Sequence, residues 1–114
     1  MSSGLRAVDE QLALERAGGN ADLARELYQM LQNELPDYQL RLPALFTAGE
    51  MGALQEAVHK LNGSATYCGV PALKAAAESM ESHLKRGEQA SYEMDLTELL
   101  VEIQRVLDSP TLPL

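Results

Sequence analysis

Glu50-Met51-Gly52-Ala53-Leu54-Gln55-Glu56-Ala57-Val58-His59-Lys60-Leu61-Asn62-Gly63-Ser64-Ala65-Thr66-Tyr67 is the stretch that decides the fold. Strict apolar alternation is absent from it, whereas Leu54, Val58, Leu61 and Ala65 recur at helical spacing. On a helix turning about 100° per residue these four form one narrow stripe, which must face a core. His59 falls roughly 140° from Leu54, on the solvated side. Its same-face neighbours are Gln55, Asn62, Gly63 and Thr66, because residues three, four and seven apart share a face. The stretch therefore predicts a core-packed helix that holds one exposed histidine on a rigid support.

The same periodicity extends in both directions. Upstream, Asp9 caps a short helix reaching Ala17, and Gly18-Gly19 ends it. Asn20 caps a longer one with Leu23, Leu27, Leu31, Leu35, Tyr38, Leu42 and Leu45 on its apolar side. Pro36 and Pro43 lie inside that pattern, and each removes a backbone donor, so a bend or break is expected near Leu35. Ala48-Gly49 reads as a turn. Downstream, Gly69 stops the central helix and Pro71 opens the next, which runs to Gly87 through Leu73, Ala76, Ala77, Met80 and Leu84. A last helix, capped by Ser91 or Asp95, presents Leu96, Leu99, Leu100, Ile103, Val106 and Leu107 before Ser109-Pro110. Short connections favour antiparallel neighbours. The expected fold is all-α: an antiparallel up-and-down four-helix bundle with a short additional N-terminal helix. One domain over residues 1–114 is expected, with frayed ends at about 1–7 and 109–114.

Composition narrows the function classes. Nine Lys and Arg stand against seventeen Asp and Glu, a formal net charge of -8, with one Phe, four Tyr and no Trp. Such a chain lacks the clustered cations and stacking platforms of a nucleic-acid binder. No apolar run approaches the ~20 residues of a membrane span, so direct membrane contact is not expected. Met1-Ser2-Ser3-Gly4 has none of the basic and apolar regions of a signal peptide. The single Cys68 allows no internal disulfide, which suits a reducing, cytoplasmic setting.

Gly63 asks for a reason, since a glycine inside a helix costs about 1 kcal/mol against alanine. One turn beyond His59, it leaves clear the space where a side chain would crowd the imidazole and whatever approaches it. Taken alone, an exposed histidine with a glycine four residues on is ordinary surface composition. The wider pattern, His59-Lys60-Leu61-Asn62-Gly63-Ser64-Ala65, then Gly69-Val70, Leu73 and Glu78, resembles the signature of histidine-phosphotransfer (HPt) domains, His-x-Leu-Lys-Gly-Ser-Ala followed by a helix-ending glycine. From Leu12 through Gly87, including Leu23-Ala24-Arg25 and Leu35-Pro36, the chain looks most like the C-terminal HPt domain of BarA/GacS-type tripartite hybrid sensor kinases.

The resemblance implies that His59 takes a phosphoryl group from a receiver-domain aspartyl phosphate and passes it to another receiver aspartate. It implies receiver domains of a hybrid sensor kinase and of a response regulator as partners, and no autokinase activity. Mg²⁺ and its acidic ligands would belong to the receiver, so no cofactor is expected on this chain, and a monomer suffices. Gln55 and Thr66 flank His59 as docking positions, together with the exposed side of the first helix. One departure stands out: where the family usually has Lys, three residues after the histidine, this chain has Asn62, which donates a hydrogen bond but no charge. Lys60, about 100° away around the helix, and Lys85 are the cations left to support the phosphoryl group. Lys85 shares a face with Lys74, Glu78 and Glu81, a set equally readable as two surface ion pairs. Ser64 has no evident base and reads as a helix hydroxyl near the bundle edge.

Of two rival readings, one fails and one remains. Glu56-Ala57-Val58-His59 fits a di-iron Glu-x-x-His spacing, but no second such motif exists and this one faces away from the apolar stripe, so no metal is expected. His83, beside Lys85 and Arg86 at a helix end, reads as structural. A non-phosphorylated helical interaction module would keep the bundle and owe nothing to His59.

Overall fold

The computed structural model describes residues 4–114. The described residues form five α-helices: α1 (Glu10–Arg16), α2 (Ala21–Thr47), α3 (Met51–Ala65), α4 (Pro71–Arg86) and α5 (Tyr92–Leu107). A single 3-10 turn, Gln89–Ser91, precedes α5, and among the described residues there is no strand. Helices α2 to α5 pack each against the next and α2 closes on α5, giving the expected up-and-down four-helix bundle, with α1 laid against it.

The starts and stops follow local chemistry. Asp9 accepts a hydrogen bond from the Leu12 amide at 3.0 Å, and Asn20 from the Leu23 amide at 3.0 Å, each satisfying an orphan donor of the first turn. Pro71 occupies the first turn of α4, and Gly87 ends it. Ser91 sits at the start of α5, but its side chain makes no capping bond, and Asp95 is turned into the interior instead.

The expected break near Leu35 does not occur: α2 runs on through Pro36 and Pro43. Each proline costs a helix about 3 kcal/mol. Burial of Leu31, Leu35 and Leu42, at roughly 1.5–3 kcal/mol apiece, offsets that cost and holds one helix across both positions. Pro36 itself lies on the exposed side.

The ends expected to fray are partly anchored. Ala72 donates to the Arg6 carbonyl at 3.2 Å, and Asp9 to the Gly69 carbonyl at 2.8 Å. At the other end Leu112 is buried, the Gln32 amide donates to the carbonyls of Val106 (2.7 Å) and Ser109 (3.0 Å), and the Tyr28 hydroxyl donates to Ser109 as well. The cause is unsatisfied carbonyls at the end of α5, which find donors on α2. Met1 to Ser3 lie outside the described residues.

Leu54, Val58, Leu61 and Ala65 of α3 are all buried, as their phase requires, and pack with Leu73, Ala77, Met80, Leu99 and Ile103 in one core cluster. Gly69 closes the turn after α3 at φ +68. A Cβ there would lie 2.5 Å from Ala13 Cβ and 2.6 Å from the Asp9 carbonyl oxygen, so only glycine lets α1 pack against this turn. No helix among the described residues is long and apolar enough to cross a membrane.

Candidate functional site

His59 stands on the outer face of α3 with its side chain 70% exposed. Its Nδ1 lies 2.5 Å from Oε2 of Glu81, which comes from α4 and is only 8% exposed in its side chain. Glu81 is the hub of the site. Asn62 Nδ2 donates to its Oε1 at 3.1 Å, and Lys85 Nζ lies 3.1 Å from its Oε2. Burial pushes this carboxyl up, but the hydrogen bonds from Asn62, His59 and Lys85 together outweigh that and bring it down to about 2. Glu81 is therefore a carboxylate at neutral pH and can only accept.

That fixes the histidine. A neutral imidazole has one N–H and one lone pair, so the Nδ1 facing a carboxylate carries the proton and Nε2 carries the lone pair. Nε2 has no hydrogen-bond partner among the described residues. The geometry thus presents one oriented nucleophilic nitrogen on an open helix face.

Other predicted residues divide into those brought to His59 and those that are not. Asn62 joins the site, with its Oδ1 accepting from Lys74 Nζ at 3.1 Å. Lys85 joins through Glu81. Lys60 is exposed and makes no ion pair among the described residues. Ser64 points elsewhere, donating to Glu34 on α2 at 3.1 Å, because five residues along a helix carry it to the far side. Gln55 is half-buried one turn before His59. Thr66 donates to the Asn62 carbonyl at 2.8 Å and borders a cleft of about 150 Å³ together with Leu12, Arg16, Val70, Lys74 and Glu78.

Gly63 requires a correction. A Cβ there would meet nothing within 4 Å, so a small side chain would not crowd the imidazole. The space beside Gly63 is open. The two i,i+4 ion pairs expected on α4 do exist, Lys74–Glu78 at 3.4 Å and Lys85–Glu81, but the second is no surface pair, since Glu81 is buried. Its place in the stripe, four residues after Ala77 and three before Leu84, was the available signal: a carboxylate at a core-facing position needs partners.

His83 has the structural setting expected of it. Its Nδ1 lies 2.8 Å from Oδ2 of the buried Asp95, tying the end of α4 to α5. Cys68 is buried, donating to the Ser64 and Leu27 carbonyls, and burial followed by the nearby Glu34 charge pushes its thiol up to about 11. Among the described residues no group of three or more His, Cys, Asp and Glu is arranged to hold a metal ion.

All-helical architecture with an oriented, exposed imidazole on α3 defines a helical-bundle domain that displays a histidine. The chain belongs to the Hpt domain family, whose model matches residues 26–109, and this membership carries a phosphorelay role in two-component signalling. It is 37% identical over 100 residues to the signal transduction histidine-protein kinase BarA of Escherichia coli, covering 87% of this chain and 11% of BarA. It is 36% identical over 88 residues to the sensor histidine kinase GacS of Pseudomonas protegens, covering 77% of this chain and 10% of GacS. The chain thus spans about a tenth of the length of these relatives. The crystal structure of the HPt domain from the Hpt sensor hybrid histidine kinase of Shewanella superposes with a TM-score of 0.85 at 28% identity, covering 91% of this chain and 90% of that one.

Proposed function

We propose that this chain is a phosphorelay intermediate in which His59 receives a phosphoryl group from the aspartyl phosphate of one receiver domain and delivers it to the aspartate of another. The observation that carries the proposal is the pairing of an exposed imidazole with a buried carboxylate at Nδ1. In the forward step the Nε2 lone pair attacks phosphorus, an N–P bond forms, and the aspartyl P–O bond breaks with its electron pair leaving on the aspartate carboxylate. The Nδ1 proton stays in place, facing Glu81 Oε2. The reverse pattern of bond changes passes the group to the second receiver.

Phosphoryl transfer asks a protein mainly for alignment and charge stabilisation. Glu81 supplies alignment, as the orienting partner of a histidine does elsewhere. Lys85 and Asn62, both bonded to Glu81, are the site's candidates to support the developing charge. Mg²⁺ would be the receiver's contribution. Gln55, Thr66 and the open side of Gly63 form the surface a receiver would cover, a transient contact of modest area. A cytoplasmic monomer fits this role.

The test incubates the chain with a phosphorylated receiver and follows acid-labile, alkali-stable phosphate. Wild type is expected to become labelled and His59→Gln to remain unlabelled. Equal labelling of His59→Gln, or none of wild type by any receiver in a full panel, would leave a binding module without phosphate chemistry as the better description.

A further inference from the structure

The hydrogen-bond chain at the site does not stop at Glu81. Lys74 Nζ donates to Asn62 Oδ1 at 3.1 Å, Asn62 Nδ2 donates to Glu81 Oε1 at 3.1 Å, and Glu81 Oε2 faces His59 Nδ1 at 2.5 Å. Lys74 and Glu81 bear fixed charges, and Asn62 is the reversible link between them. An amide can present either its oxygen or its nitrogen in a given direction, and only its neighbours decide which. Here a cation lies on one side and a carboxylate on the other. A flipped Asn62 would set its oxygen against Glu81 and its NH₂ against the ammonium, two repulsive contacts in place of two attractive ones.

We infer that Lys74 is a positioning residue for His59: by holding Asn62 in the donating orientation it keeps Glu81 aligned, and through Glu81 it holds the imidazole in the Nδ1–H tautomer that leaves Nε2 free. The inference rests on the phosphorelay reading for its consequence in transfer, but its effect on the tautomer stands apart from it.

Several observations favour this over a simple surface ion pair. Lys74 has an i,i+4 partner, Glu78, whose side chain is 65% exposed, yet the ammonium sits closer to Asn62 (3.1 Å) than to Glu78 (3.4 Å). Its side chain is only 33% exposed, so the bond to Asn62 is sheltered more than an ordinary surface contact. The two oxygens of Glu81 also have separate holders. Oε2 meets His59 and Lys85, whereas among the described residues Oε1 meets only Asn62. Losing Lys85 would leave Oε1 anchored; losing Lys74 removes one of the two charges that orient the group anchoring Oε1. The position of Lys74, twelve residues after Asn62 across the α3–α4 turn, lies outside the motif around His59.

The experiment compares wild type, Lys74→Met and Lys74→Arg, each checked for an unchanged helical spectrum and melting profile. The first readout is the ¹⁵N chemical shifts of the His59 ring at alkaline pH, assigned with the help of His83→Gln, which report the tautomer directly. The second is the initial rate of phosphoryl acceptance from a phosphorylated receiver. Lys74→Met is expected to lower the Nδ1–H population and to slow acceptance by about tenfold, on the scale that losing an outer-shell partner costs a metal-bound histidine. Lys74→Arg keeps a cationic donor and should restore most of both. A wild-type tautomer in Lys74→Met, or a Lys74→Arg chain as impaired as Lys74→Met, overturns the inference. Should wild type accept no phosphate from any receiver while Lys74→Met still shifts the tautomer, the phosphorelay reading falls and the positioning role of Lys74 stands.

Discussion

Replacing Glu81 by Gln should change how the fold responds to acid, by an amount that the site itself sets. The Glu81 carboxyl is brought from its ordinary 4.5 down to about 2; burial works against this and is outweighed by the bonds from Asn62, His59 and Lys85. A carboxyl with a depressed folded-state pKa stabilises the fold where it is ionised. Its contribution is fully present above about pH 4.5, declines below that, and is gone once pH has fallen through about 2. Between pH 6 and pH 3 the loss from this one group comes to about 2 kcal/mol before solvent is considered. Two of the three donors are open to water, His59 at 70% and Lys85 at 58% exposure of their side chains, and screening brings the figure to about 1 kcal/mol. Urea unfolding of wild type and Glu81→Gln at both pH values isolates it, since the other carboxylates are common to both chains. The stability gap between the two should be about 1 kcal/mol narrower at pH 3 than at pH 6, or about 0.5 M in midpoint. An equal gap at the two pH values would mean that Glu81 is not held as an ionised hub, and the tautomer argument for His59 would go with it.

Gly63→Ala should stabilise the chain by up to about 1 kcal/mol in thermal unfolding, because a Cβ there meets nothing and an alanine is the better helix former. Gly63→Gln should keep its helicity by circular dichroism yet slow phosphoryl acceptance, and unchanged kinetics would show that clearance for the receiver is not its purpose. Gly69→Ala should cost about 2–4 kcal/mol in urea unfolding, combining a left-handed backbone with overpacking against Ala13 and Asp9; a cost under about 1 kcal/mol would show that α1 is free to move away.

Much of this architecture is legible in the sequence because helical phase is a local property. The stripe Leu54, Val58, Leu61 and Ala65 determines which side of α3 is buried, and His59 follows by geometry. The caps at Asp9 and Asn20 likewise need only neighbouring residues. Pro36 and Pro43 mislead for the converse reason: whether a helix survives a proline depends on what its flanking residues bury against, and that is a tertiary matter. The 3-10 turn before α5 carries no strong local signal. In the site, Asn62 and Lys85 are legible as neighbours of His59, but the buried role of Glu81 and the reach of Lys74 to Asn62 depend on how closely α4 lies against α3. Asp95 repeats the lesson, a carboxylate at a helix start that serves His83 on the preceding helix instead of capping its own.

The working residues also have a topological economy. His59, Asn62, Lys74, Glu81 and Lys85 all belong to the α3–α4 hairpin, and the longest link among them, His59 to Glu81, spans 22 positions. The bonds joining α2 to the end of α5 span 74 to 81. Loop-closure entropy grows with that separation, and contacts between near positions form faster. The hairpin can therefore assemble the chemistry of this chain from local encounters, leaving the slower closure of α2 on α5 to lock the bundle around it.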